Sequence, residues 1–229
     1  MAVSAYFEAS AAKGINGNQL DASIPQAGAV YVFQRTGGKW AQQAYIKASN
    51  TGEKGEGDNF GDGDQFGFSL SISGDGNTIV VGANAEDSKA TGINGDQNDN
   101  SMVSAGAAYV FVRKGATWTQ EAYVKASNTF GNTQFGYAVA LNRDGNVMAI
   151  TSYDEGGISR LVNGPQMRGR NGTGAVYVFY REAGKWTQHD YLKAENAEAG
   201  DSMGVSVAIS DDGNTIVSGS LDEDCLATG

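Results

Sequence analysis

Three groups of side chains in this sequence combine type and spacing in ways that chemistry can use. The first is a run of carboxylates set among glycines, Asp58-Asn59-Phe60-Gly61-Asp62-Gly63-Asp64. Alternating carboxylates with intervening glycine let a backbone wrap a hard cation, so Asp58, Asp62 and Asp64 are candidate calcium ligands. A solvated acidic loop is the competing reading. The second group, Asp87, Asp96, Asn98 and Asp99, lies in one long polar stretch and is suited in type to the same ion. The third is basic. Arg160, Arg168 and Arg170 occupy the matching stretch further on, as ligand-contacting candidates. Beside them, Asn171-Gly172-Thr173 is an N-glycosylation sequon, meaningful in a protein secreted by a eukaryote.

Acid–base and nucleophilic chemistry find less material. The single histidine, His189, stands where matching segments carry Gln43 and Glu121, a variable polar position on an outer strand. The single cysteine, Cys225, matches Ser88 and Ser10 and excludes an internal disulfide. No Ser/His/Asp set, Cys/His metal spacing or phosphate-cradling loop can be assembled. The expectation is that the chain is not an enzyme and has no catalytic residues.

The elements that must position these groups follow from a repeat. Gly28-Ala-Val-Tyr-Val-Phe33 recurs as Gly106-Ala-Ala-Tyr-Val-Phe111 and Gly174-Ala-Val-Tyr-Val-Phe179. Behind each come a tryptophan (Trp40, Trp118, Trp186), a tyrosine five residues on (Tyr45, Tyr123, Tyr191) and a Lys-Ala pair. A second block runs from Gln65-Phe66-Gly67 to Val81-Gly82, and its copies begin at Gln134 and Ser202. The Asp-Gly pairs at Asp75, Asp144 and Asp212 are 69 and then 68 residues apart.

Each period holds four strand-like runs, Phe66–Ile72, Thr78–Ala83, Ala107–Arg113 and Thr117–Lys125 in the best-defined copy, bounded by Gly, Asn or Asp. Asp75-Gly76-Asn77 is a hairpin signal, because Gly tolerates the positive φ such turns need. The third run is apolar at nearly every position, which suits a sheet covered on both faces. The fold class is therefore all-β. A four-stranded antiparallel unit of this length fits a β-propeller blade, with a sandwich or β-solenoid as alternatives. Superimposing the repeats gives one repeat domain over 1–229. It comprises a partial blade at 1–50 (strands two to four), full blades at 64–127 and 133–196, and a partial blade at 201–229 (strands one and two). That makes about three blades plus one extra strand, either part of a longer propeller or an open, assembled array.

These repeats resemble the FG-GAP family, related to the integrin α-subunit head. The first element of that name stands as Phe66-Gly67 and Phe135-Gly136, with Met203-Gly204 as a variant, and the second as Val81-Gly82-Ala83. The resemblance implies a propeller at the cell surface or outside the cell, with calcium between the first and second strands. Here that loop is cut to Ser73-Gly74-Asp75-Gly76-Asn77 and its copies, too few carboxylates for the six to eight oxygens calcium takes. They read as plain hairpin turns. The resemblance also places the second-to-third and fourth-to-first loops on one ligand-facing rim.

A formal charge of −10 argues against a nucleic-acid partner. No apolar run approaches the roughly 18 residues of a membrane span, and Met1–Ala5 lacks the features of a signal peptide. The reading that results is a non-catalytic extracellular or cell-surface adhesion module binding protein or glycan through rim loops, with calcium as the candidate cofactor. One alternative is a self-assembling ring or filament subunit, whose exposed blade edges pair with copies of the chain. The other is a hydrolase-like propeller enzyme.

Overall fold

The computed structural model describes residues 1–52, 63–169 and 172–224. Among them there is no helix and no closed barrel; thirteen strands form four antiparallel sheets. The first sheet has three strands, β1 (Ala2–Ala5), β2 (Ala29–Thr36) and β3 (Lys39–Ile46). The second has four, β4 (Ser69–Ile72), β5 (Thr78–Ala83), β6 (Ala107–Lys114) and β7 (Thr117–Val124). The third repeats that plan with β8 (Phe135–Leu141), β9 (Val147–Ser152), β10 (Ala175–Glu182) and β11 (Lys185–Leu192). The fourth has two, β12 (Ser206–Ile209) and β13 (Ile216–Gly219). Within each sheet, strands are neighbours in chain order.

The hairpins form for local reasons. Asp75 accepts the Asn77 amide at 2.9 Å through its carboxylate, and Asp144 and Asp212 do the same for Asn146 and Asn214 at 3.0 Å. The following glycines, Gly76, Gly145 and Gly213, sit at φ of 71°, 72° and 76°, the left-handed region that favours glycine. The carboxylates of these turns are therefore used on the turns themselves.

Sheets stack through their faces. One core lies between the first and second sheets, built from Val30, Ile46, Phe66, Tyr109 and Phe111 among others. A second lies between the second and third, around Val110, Val124, Phe135, Tyr177 and Phe179. Phe66 and Phe135 are wholly buried, each worth about 1.5–3 kcal/mol of transfer free energy. Each meets two aromatic rings of β6 or β10 edge-on, the arrangement that ring quadrupoles favour. Burial on both faces explains why β5 and β9 are buried at every position.

One glycine position sets how closely the chain segments approach. Gly106 has φ +79°, and a Cβ there would stand 2.1 Å from the Phe135 carbonyl oxygen. Gly28 and Gly174 make the same approach to Phe66 and Met203.

Candidate functional site

The groups best placed for chemistry by type alone are buried. A glutamate follows the second strand of each unit by three residues, at Glu8, Glu86 and Glu155. Glu86 takes Lys125 Nζ at 2.7 Å, Tyr123 Oη at 2.6 Å and Asn50 Nδ2 at 3.1 Å. Glu155 takes Lys193 Nζ at 2.9 Å, Tyr191 Oη at 3.0 Å and Asn128 Nδ2 at 3.0 Å. The Lys125 and Glu86 side chains are 0% and 1% exposed. Burial, followed by the charge of Glu86, pushes the Tyr123 hydroxyl far above its ordinary range, so it donates and does not act as a base. Burial likewise pulls the Lys193 ammonium down, opposed by Glu155. These clusters have no face open to a substrate. They are cross-braces, and each asparagine comes from the preceding unit, so each carboxylate also ties two units together.

Loops between second and third strands are held by the repeated Asn-Gly-x-Gln pattern. Asn16, Asn94 and Asn163 have φ near +55°, and their side-chain oxygens accept the amides of Tyr45, Tyr123 and Tyr191 at 2.9, 2.9 and 2.8 Å. The glutamines reach the other way: Gln97 accepts from Ser49 and Gln166 from Ser127, both in the preceding unit.

A second feature was hidden in the sequence. The pairing of third and fourth strands slips by one residue in all three units, at Val32/Phe33, Val110/Phe111 and Val178/Phe179. The extra residues are Gln43, Glu121 and His189. A bulge re-aims its side chain, and here it aims at the next sheet. Gln43 Oε1 accepts Trp118 Nε1 and Arg113 Nη1, both at 3.0 Å. Glu121 accepts Trp186 Nε1 at 3.0 Å and Arg181 Nη2 at 2.6 Å. The variable polar position on the outer strand is thus a sheet-to-sheet acceptor. The five-residue step from tryptophan to tyrosine was its signal. In a regular strand such a step puts the two rings on opposite faces, yet Trp118 and Tyr123 share one core, which requires a bulge between them.

Beside the Glu121 contact lies a cleft of about 640 Å³, lined by Arg113, Lys114, Thr119, Glu121, Asp144 and Arg181. Arg181 is tied to Glu121 and Arg113 to Gln43 and Asn77. Among the described residues, Lys114 and Arg113 face the cleft without a carboxylate in ion-pair contact. The cleft therefore offers cationic donors, threonine hydroxyls and three carboxylates, Asp75, Glu121 and Asp144, and the Asn146 amide raises the acidity of Asp144.

The residues singled out from the sequence do not gather into one place. Asp87 is buried, and its carboxylate takes the Ser104 amide at 2.7 Å. Asp96 accepts the Asn98 amide. Asp99 accepts from Ser101 and pairs with Lys89 at 3.0 Å; Ser101 first, then Lys89, holds its carboxyl well below the usual range. Asp64 is buried, and Asp58 and Asp62 lie outside the described residues. Among the described residues, no three His, Cys, Asp or Glu side chains converge as a metal group. Arg160 binds the Ala197 carbonyl and Glu198, and Arg168 lies 3.8 Å over the Phe130 ring. Arg170, Asn171 and Cys225 lie outside the described residues. Among the described residues no helix is long and apolar enough to cross a membrane.

No family model matches the chain, and no curated protein does. Among solved structures, the chain is similar to a protein from Bacteroides uniformis provisionally named a 6-phosphogluconolactonase. The identity is 13% and the TM-score 0.46, over 88% of this chain and 46% of that one. The chain thus spans about half the length of that protein. A neighbour carrying an enzyme's name stands against the expectation of a non-catalytic adhesion module and against the exclusion of enzyme activity. Both expectations are withdrawn. The activity in that name is that protein's own.

Proposed function

We propose that the chain is built from β-propeller blades of the FG-GAP repeat type, and that its stacked sheets hold the cleft beside Glu121 as a site for a small anionic molecule. The propeller reading is supported by four-stranded antiparallel units that recur every 68 or 69 residues and stack face to face. The site reading rests on one observation, the Lys114 and Arg113 cations lining a polar cleft of about 640 Å³ with no carboxylate paired to them among the described residues. A cleft of that volume suits one small molecule. Arginine presents a planar fork of donors to carboxylate or phosphate oxygens, and lysine adds a mobile point charge.

Thermal unfolding with millimolar inorganic phosphate, small carboxylic acids and phosphorylated small molecules tests this. A stabilising ligand raises the midpoint by mass action. Thr119→Trp fills the cleft from the exposed face of β7 and Lys114→Ala removes a cation, so both are expected to abolish the shift. Mass spectrometry of the recovered ligand then separates retention from turnover. No shift with any anion, or a shift that survives Thr119→Trp, counts against the site.

A further inference from the structure

The contact between the first and second sheets and that between the second and third use one recognition unit. A tryptophan and an arginine of one sheet grip the bulge residue on the outer strand of the sheet before it. Both halves of a third such contact lie on the surface of this chain. On the first sheet, Trp40 is 53% exposed where Trp118 and Trp186 are 3% and 4%. Arg35 pairs with Trp40 across β2 and β3, just as Arg113 pairs with Trp118. On the third sheet, the bulge presents an exposed His189, its ring 4.7 Å from Tyr180.

We propose that a second copy of this chain docks head to tail, laying its Trp40 face on the His189 face of the first. Trp40 Nε1–H then donates to the imidazole, and Arg35 stacks over the Trp40 ring as Arg113 does over Trp118. The two faces are complementary. The donors and the acceptor of the unit are all present on one chain, in a geometry that the chain already realises twice. Space permits it as well. β12 packs on β8 and β9, so the incoming β2 and β3 lie over β10 and β11. The incoming β1 and the resident β13 then compete for one position beside β12. They are alternative copies of one strand, Val3-Ser4-Ala5 and Ser218-Gly219-Ser220. β13 is the weaker claimant. It pairs only with β12, over four residues, with Val217 66% exposed.

Sedimentation equilibrium of the full 229-residue chain tests the contact. The expected result is a mass that rises with concentration below about 100 μM, with Trp40→Ala weakening association by about tenfold or more. His189→Ala weakens it too, whereas His189→Glu, which copies Glu121 and adds an ion pair to Arg35, strengthens it several-fold. Trp40 and His189 are surface residues, so urea unfolding of each variant should match the parent protein. A chain that stays monomeric throughout that range overturns the proposal, and so does association that ignores both alanine variants.

Discussion

Trp118 and Trp40 are one residue of the repeat in two settings, and the difference between them locates the contacts that hold the sheets together. Trp118 is closed over by the first sheet and donates to Gln43; Trp40 lies half open on the outer face of that sheet. The sequence around them is nearly the same, so burial is set by whether a bulge residue faces the ring. A second comparison refines the first. Gln43 gives the contact between the first two sheets a neutral acceptor, whereas Glu121 gives the next contact a carboxylate against Arg181. One architecture carries two strengths.

The largest expected effect separates the two tryptophans. Trp118→Ala should cost about 4 kcal/mol of stability and Trp40→Ala under about 0.5 in dilute solution, read by urea unfolding. Equal losses would mean that the inner contact is not special. Next come the buried carboxylates. Glu86→Ala should cost about 3 kcal/mol, because it leaves the buried Lys125 ammonium without its partner. Glu8→Ala should cost less, since the Glu8 side chain is 12% exposed and that of Glu86 1%.

Smaller effects sharpen the comparison of acceptors. Glu121→Ala should cost about 2 kcal/mol and Gln43→Ala about 1, because hydrogen bonds to a charged group are the stronger ones. The first loss should shrink in high salt and the second should not. Asn94→Ala should cost about 1 kcal/mol, since alanine neither tolerates φ of 55° well nor accepts the Tyr123 amide. Hydrogen exchange at Tyr123 would show the loss as faster opening of that amide.

Strands and turns were legible because their signals are local. Alternation, glycine and the Asp-Gly pairs placed β5 at Thr78–Ala83, as the structure has it, and put β6 and β7 within a residue of their observed ends. The carboxylates of the candidate site were harder to place. Asp87, Asp96 and Asp99 are calcium-like in type, but type does not reveal that a carboxylate is already bonded to Ser104, Asn98 or Ser101. The Glu86–Lys125 pair was missed because its partners are 39 residues apart and only the pairing of β5, β6 and β7 in one sheet brings them together. The bulge at Glu121 was missed for a subtler reason. One extra residue reverses which face every later side chain takes, and the only trace it leaves is an odd spacing between Trp118 and Tyr123.

The bulge residue grips the next sheet and helps to hold the stack. A double-mutant cycle on Glu121→Ala and Arg181→Ala, followed by urea unfolding, measures that grip. A coupling energy of about 1 kcal/mol or more is predicted. Additive losses, with coupling near zero, would mean that the 2.6 Å contact between these side chains contributes nothing to the stack and that the sheets are held by their apolar faces alone.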